Sequence, residues 1–105
     1  MTQAITLNLS EGSVRFNFSI AAAQDLQAAL TQLRSQWQGP AAAGQRQPLE
    51  YRHTGDIFLE IFCNPNIWPN AFAAKVLITL RDDRIRLTTE ASLSQLQEDL
   101  SQYLG

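Results

Sequence analysis

Residues 75–104 read KVLITLRDDRIRLTTEASLSQLQEDLSQYL, and this stretch decides the fold because a strand pattern and a helix pattern follow each other in it. Val76, Ile78 and Leu80 occupy every second position, which is the period of a strand with one buried face. The alternation resumes after two aspartates. The first part of the stretch therefore predicts an antiparallel hairpin with one apolar face.

The loop of this hairpin sets the register of its strands. If residues 82–83 form a two-residue loop, Leu80 lies opposite Ile85. The same register places Ile78 opposite Leu87, so that inward residues meet inward residues. Asp-Asp suits the positive φ angles of such a turn less well than Asn-Gly, and a four-residue loop is the alternative.

Helix signals follow the hairpin directly. Ser92 is a typical N-cap, and Gln95 three positions later completes the pattern of a capping box. The spacing of the apolar residues after this cap predicts one apolar stripe along a helix. The residues of the stripe are Leu93, Leu96, Leu100, Tyr103 and Leu104.

The N-terminal part of the chain shows the same order of signals. Apolar residues alternate with polar ones over residues 5–20, and a two-residue loop at 11–12 would place Leu9 opposite Val14. A helix is predicted over residues 21–37, where alanines and glutamines supply helix propensity. Gly39 and the proline after it end this helix.

The two strand-strand-helix units align with each other at a nearly constant offset. Leu7 and Ile78 are 71 residues apart, as are Val14 and Ile85, and the helices align with an offset of 70. This match predicts a pseudo-repeat of the terminal units. Because only apolar positions match, a chance alignment of two similar hairpin-helix units is the alternative.

Two further strands are predicted between these units, over residues 49–53 and 57–63. An odd-numbered loop at 54–56 places the apolar residues of both strands on one face, whereas an even loop would divide them between the faces. We predict the odd loop. Its cost is a like-charge pair, Glu50 opposite Glu60.

These patterns predict a single α+β domain over residues 1–105, with an antiparallel sheet of about six strands and two helices on one face. The predicted order is ββα-ββ-ββα. The small residues of 39–47, GPAAAGQRQ, show no periodicity and are interpreted as a flexible surface loop.

Composition excludes several classes of protein. Eight basic residues stand against ten acidic ones, and this net charge of -2 argues against a general nucleic-acid binder. The lone Cys63 rules out an internal disulfide. The first residues lack the pattern of a secretion signal, and no apolar run is long enough to span a bilayer. We expect a cytoplasmic protein without membrane insertion.

Residues that could support catalysis are few. The lone His53 is predicted beside a turn and Cys63 at the far end of the paired strand, so a Cys-His nucleophile pair is not expected. Neither belongs to a metal-ligand spacing, and Asp82 and Asp83 are interpreted as turn residues. We therefore predict no enzyme activity, no metal site and no cofactor.

The outward face of the predicted sheet is the candidate functional surface. Three large apolar residues share this face with several arginines, and contiguous exposed apolar side chains are typical of an association surface. The alternative is that a loop covers them. The predicted partner-binding residues, one of them from the adjoining loop, are Phe58, Phe62, Leu77, Trp68, Arg81, Arg84 and Arg86.

The connection over residues 64–73, NPNIWPNAFA, is unusually apolar for a surface loop. Its two prolines favour extended or turn conformations. One interpretation is that Trp68 and Phe72 close the end of the core; the other is that Trp68 anchors a binding site.

The sequence thus favours a non-catalytic protein-interaction or assembly module that docks onto a protein partner or a second copy through its sheet face and the 64–73 loop. Two alternatives remain open. Arginines among aromatic residues on a sheet are also typical of single-stranded nucleic-acid binding, and a small-ligand site between helices and sheet is the other alternative.

Overall fold

The computed structural model describes residues 2–39 and 44–105. Six strands and two helices follow each other in the predicted order, with one short 3-10 helix between the fourth and fifth strands. The elements are β1 Thr2–Asn8, β2 Ser13–Ser19, α1 Ile20–Ser35, β3 Leu49–Thr54, β4 Phe58–Cys63, the 3-10 helix Pro65–Ile67, β5 Lys75–Arg81, β6 Arg86–Ser92 and α2 Leu93–Leu104.

The strands form two antiparallel sheets. β1 pairs with β2 alone, while β3, β4, β5 and β6 form a four-stranded sheet in chain order. The α+β class, the order of elements and the two helices are confirmed, but the six strands do not form one sheet. The β1–β2 hairpin instead contacts both edges of the larger sheet. The ring of Phe18 lies 5.2 Å from that of His53 on β3, and the Ser10 amide donates to the Glu90 carbonyl on β6.

All three hairpins keep the predicted faces but differ from the predicted pairing by two residues. Leu80 lies opposite Leu87 rather than Ile85. The first hairpin pairs Val14 with Leu7 instead of Leu9. In the central hairpin the loop is odd-numbered, as predicted, but it consists of residues 55–57. A shift of two leaves every side chain on its own face, because side chains alternate with period two.

Local hydrogen bonds explain why the first and last loops contain four residues. The Leu9 amide donates to the Gly12 carbonyl, and Gly12 has a φ of 85°, which favours glycine. In the last hairpin the Asp82 carboxylate accepts from the amides of Arg84 and Ile85, at 2.8 and 2.9 Å. These contacts stabilise the wider loop over a two-residue turn.

Both helices begin at a serine N-cap. Ser19 accepts from the Ala22 amide, and Ser92 accepts from the Gln95 amide, both at 3.0 Å. The side chain of Gln95 donates to Asp99. The core lies between the helices and the inward faces of both sheets. Its most buried large side chains include Ile5, Leu7, Phe18, Leu26, Leu30, Leu59, Ile61, Ile78, Leu96 and Leu100.

The terminal units are related differently from the predicted alignment. Equivalent positions of the two units lie 73 residues apart. Leu7 of the first hairpin corresponds to Leu80 of the last, and the N-cap Ser19 corresponds to the N-cap Ser92. The predicted offset of 71 was therefore wrong by two. The two hairpins belong to different sheets, so the pseudo-repeat is not established.

The predicted flexible loop at 39–47 falls partly outside the described residues. In its described part, the amides of Gly44 and Arg46 donate to the Asn66 side chain, and the Gln47 amide donates to Gln36. These bonds tie the segment before β3 to the connection after β4 and to α1. Within residues 2–39 and 44–105, no helix has the length and apolar character needed to cross a membrane.

Candidate interaction surface

The outward side of the four-stranded sheet, which we call the outer face, contains three complete rows of side chains that cross the strands, and the exposed Lys75 of β5 lies beyond the first of them. The register places one residue from each strand in every row. The first row is Glu50, Phe62, Leu77 and Glu90; the middle row is Arg52, Glu60, Thr79 and Thr88; the last row is Thr54, Phe58, Arg81 and Arg86.

The first row contains an exposed apolar pair on the two central strands. Phe62 and Leu77 lie directly opposite each other, and they are 38% and 43% exposed. The acidic residues Glu50 and Glu90 flank the pair on the edge strands. The pair is therefore an apolar centre between two carboxylates.

The last row is basic. The Arg81 guanidinium lies 4.4 Å from the centre of the Phe58 ring, a distance at which a cation is attracted to the face of an aromatic ring. Phe58 is half-buried. Arg86 lies opposite Arg81 on β6, so the last row carries two positive charges while the first row carries two negative charges.

The middle row separates Phe58 from the apolar pair. The Arg52 and Glu60 side chains form an ion pair, with 2.7 Å between Nε and Oε2, because the register places them opposite each other. The predicted opposition of Glu50 and Glu60 was therefore wrong. Thr79 is only 6% exposed, since longer side chains neighbour it along β5 and on β4.

Two predicted partner-binding residues lie away from the outer face. Arg84 is in the exposed β5–β6 loop. Trp68 is half-buried and packs against the core, and its carbonyl accepts a hydrogen bond of 3.2 Å from the Trp37 indole. The other five predicted residues, Phe58, Phe62, Leu77, Arg81 and Arg86, lie together on the outer face.

The connection between β4 and β5 passes over the helix side of the molecule. Trp68 reaches Trp37 there, and the Arg34 guanidinium on α1 lies 4.9 Å from the centre of the Phe72 ring. Phe72 is 78% exposed, so the prediction that it closes the core was wrong. Nothing in its local sequence distinguishes it from a core aromatic residue. The course of this connection leaves the outer face open.

The residues with catalytic potential lie apart. His53 is on β3 and lies opposite Leu59 of β4, whereas Cys63 is at the other end of this hairpin. Cys63 is buried, and this burial raises the pKa of its thiol to about 11, so the thiol is neutral at physiological pH. No group of three or more His, Cys, Asp or Glu side chains suited to a metal ion occurs in the described part of the chain.

Asp99 is a buried polar residue that the sequence patterns above did not predict as such. It is 7% exposed, and its carboxylate accepts from the amide and side chain of Asn8 and from the side chain of Gln95, at 2.7 to 2.9 Å. These bonds join α2 to β1. The signal was present, because Asp99 follows Leu96 by three positions and thus falls on the apolar stripe of α2.

Comparisons with models of known protein families, with curated proteins and with solved structures give no match to this chain. The outer face is therefore defined by its own chemistry. An apolar pair has acidic residues on both sides, and a basic row lies four residues further along the strands.

Proposed function

We propose that this protein is a non-catalytic interaction module that docks onto a protein partner through its outer face. The observation that supports this most directly is the adjacent exposure of Phe62 and Leu77 on a sheet face that is otherwise largely polar. The solvated face of an antiparallel sheet normally carries polar residues. Apolar side chains in the centre of a charged rim have the arrangement of a protein–protein interface.

The charges of the outer face favour a protein over a nucleic acid as the partner. Near the apolar pair the acidic residues are Glu50, Glu60 and Glu90, and these would repel phosphates. The basic residues are spread over the face, with Arg81 and Arg86 in the last row, Lys75 at the opposite end and Arg52 paired with Glu60. Nucleic-acid binding depends on neutralising many phosphates with basic residues, whereas a mixed charge pattern suits a protein surface of complementary pattern.

The test is to capture binding partners from the source cells with the purified protein and with a Leu77→Asp variant. A charge placed in the apolar centre is expected to abolish capture of the specific partner, because the aspartate would have to be buried against it. The matched control is Ile85→Asp, since Ile85 is also exposed, at 63%, but lies in the β5–β6 loop.

The control variant should capture the partner as well as the wild type does. Equal capture by all three proteins would contradict the proposal. Salt-dependent binding of a single-stranded oligonucleotide, lost in Arg81→Ala and Arg86→Ala, would support the nucleic-acid alternative instead.

A further inference from the structure

We propose that the end of the molecule that carries the β4–β5 connection adsorbs reversibly to an anionic lipid surface. This region, which we call the connection end, consists of residues 31–39, 44–48, 64–74 and 92–97. It lies apart from the outer face and would meet another kind of partner. Its Phe72 and Ile67 are 78% and 67% exposed, and they are the most exposed large apolar side chains in the described part of the chain.

The exposed side chains of the connection end project from a backbone that is held in place. The Asn66 side chain accepts from the amides of Gly44 and Arg46 and donates to the Arg46 carbonyl, at 2.8 to 2.9 Å. The Asn70 side chain accepts from the amide three positions later, and Trp68 packs against the core. The connection therefore needs no rearrangement before its apolar side chains contact a surface.

The connection end itself is positively charged. Its segments contain Arg34 and Arg46 but no aspartate or glutamate. Among the residues that the structure describes, the one ion pair joins Arg52 to Glu60, so no carboxylate neutralises either arginine of the connection end. Their charges are thus available to an anionic partner.

The charges around the connection end are mixed and lie on neighbouring surfaces. Glu50, Glu90 and Lys75 belong to the outer face. Glu98 follows on α2, and its carboxylate accepts from the Gln102 side chain, one turn further from the connection end. These carboxylates oppose the attraction of an anionic surface, so the binding should be weak and dependent on salt.

The aromatic residues and arginines of the connection end have the arrangement of an interfacial anchor. The Arg34 guanidinium lies 4.9 Å from the centre of the Phe72 ring, and that of Arg46 lies 5.8 Å from the centre of the Trp37 ring. The Trp37 indole donates to the Trp68 carbonyl. Tryptophan is enriched at the headgroup level of bilayers, and the stem of an arginine can cover apolar surface there while its charged end stays in water.

This chemistry favours a lipid surface over a nucleic acid. Two arginines without carboxylate partners are too few to neutralise many phosphates, and Ile67 offers no ring on which a base could stack. Binding to a bilayer surface depends on buried apolar area and on attraction to anionic lipids. Such binding reaches only the headgroup region and differs from the insertion of a spanning segment.

The test is sedimentation of the full chain with vesicles of equimolar phosphatidylcholine and phosphatidylserine, and with vesicles of phosphatidylcholine alone. The wild type should bind the anionic vesicles, and added salt should reduce this binding. Phe72→Ala and Ile67→Ala should each lower the partition coefficient by about threefold to tenfold, because each removes apolar area from the lipid contact. Arg34→Gln should lower it by about fivefold, on the anionic vesicles only.

The matched control is Ile85→Ala, which should bind as the wild type does. Ile85 is 63% exposed, but it lies in the β5–β6 loop at the other end of the sheet, close to Asp82 and Asp83. Fluorescence gives a second readout. Both tryptophans of the chain lie in the connection end, so their emission should move to shorter wavelengths when the wild type binds anionic vesicles, and unchanged emission without vesicles checks that each variant is folded.

A wild type that remains in the supernatant with both kinds of vesicle would overturn the proposal, and so would binding that Phe72→Ala and Ile67→Ala leave unchanged. Capture of a protein that is lost in Phe72→Ala, without vesicle binding, would also overturn it and would assign the connection end to a protein partner. The outer face is tested separately through Leu77, so failure here leaves the proposed function in place.

Discussion

At the residue scale, the carboxylate of Asp99 shows how one polar side chain can connect distant parts of the chain. It is buried in α2 and accepts hydrogen bonds from Asn8, 91 positions away, and from Gln95. A buried carboxylate is costly unless donors surround it. Here three donors satisfy it, and the first hairpin is thereby attached to the last helix.

Substituting Asp99→Asn should lower the free energy of unfolding by about 1–3 kcal/mol, because the new amide group brings a donor to a site that already supplies donors. Glu98→Gln is the matched control, since Glu98 is exposed on the neighbouring position of α2. Urea denaturation measures both. Equal stability of the two variants would show that the buried hydrogen bonds of Asp99 contribute little.

At the element scale, side-chain chemistry within a loop decides which residues of two strands are paired. The Asp82 carboxylate accepts from the amides of Arg84 and Ile85, and these hydrogen bonds hold its pKa below the usual range. The loop consequently spans residues 82–85, which is the four-residue alternative to a two-residue loop of the two aspartates. Alternation of apolar residues is equally compatible with both loops, since their registers differ by an even number.

Asp82→Ala should lower the midpoint of thermal unfolding at neutral pH, because the Asp82 carboxylate accepts hydrogen bonds from the Arg84 and Ile85 amides. Asp83→Ala should have little effect, since the Asp83 side chain does not accept these hydrogen bonds. The folded state lowers the pKa of Asp82, so its stabilising effect is present at neutral pH. The effect is lost as the pH falls through and below the usual range of aspartate. Calorimetry should therefore find the difference between wild type and Asp82→Ala shrinking in acid. A difference that persists there would contradict this origin.

At the scale of the whole molecule, the two faces of the four-stranded sheet have opposite roles. Ile61 is fully buried in the core, while its neighbour Phe62 is 38% exposed on the outer face. Both are large apolar residues of one strand. Burial against helices and hairpin, and not residue type, distinguishes the structural position from the one available for binding.

Ile61→Asp should lower the free energy of unfolding by about 4 kcal/mol or more, because it places an unpaired charge in the core. Phe62→Asp, one position later, should cost about 1 kcal/mol, which is the range of strand propensities on an exposed face. Guanidinium denaturation compares the two. Unfolding of both variants would show that the outer face is covered by the protein's own chain.

The α+β class, the element order and the face on which each strand residue lies were determined by the sequence alone, because periods of 2 and 3.6 are properties of neighbouring residues. Five of the seven predicted partner-binding residues consequently lie together on the outer face. Tertiary structure decided the rest. Hydrogen bonds within the loops shifted the registers of the hairpins by two residues. Packing of the first hairpin against both edges of the larger sheet divided the strands into two sheets. The course of the β4–β5 connection placed Trp68 on the core and Phe72 in solvent. The division into two sheets and the positions of Trp68 and Phe72 depend on contacts between residues far apart in the chain. The loop hydrogen bonds join residues only two or three positions apart, but the alternation of apolar residues does not encode them either.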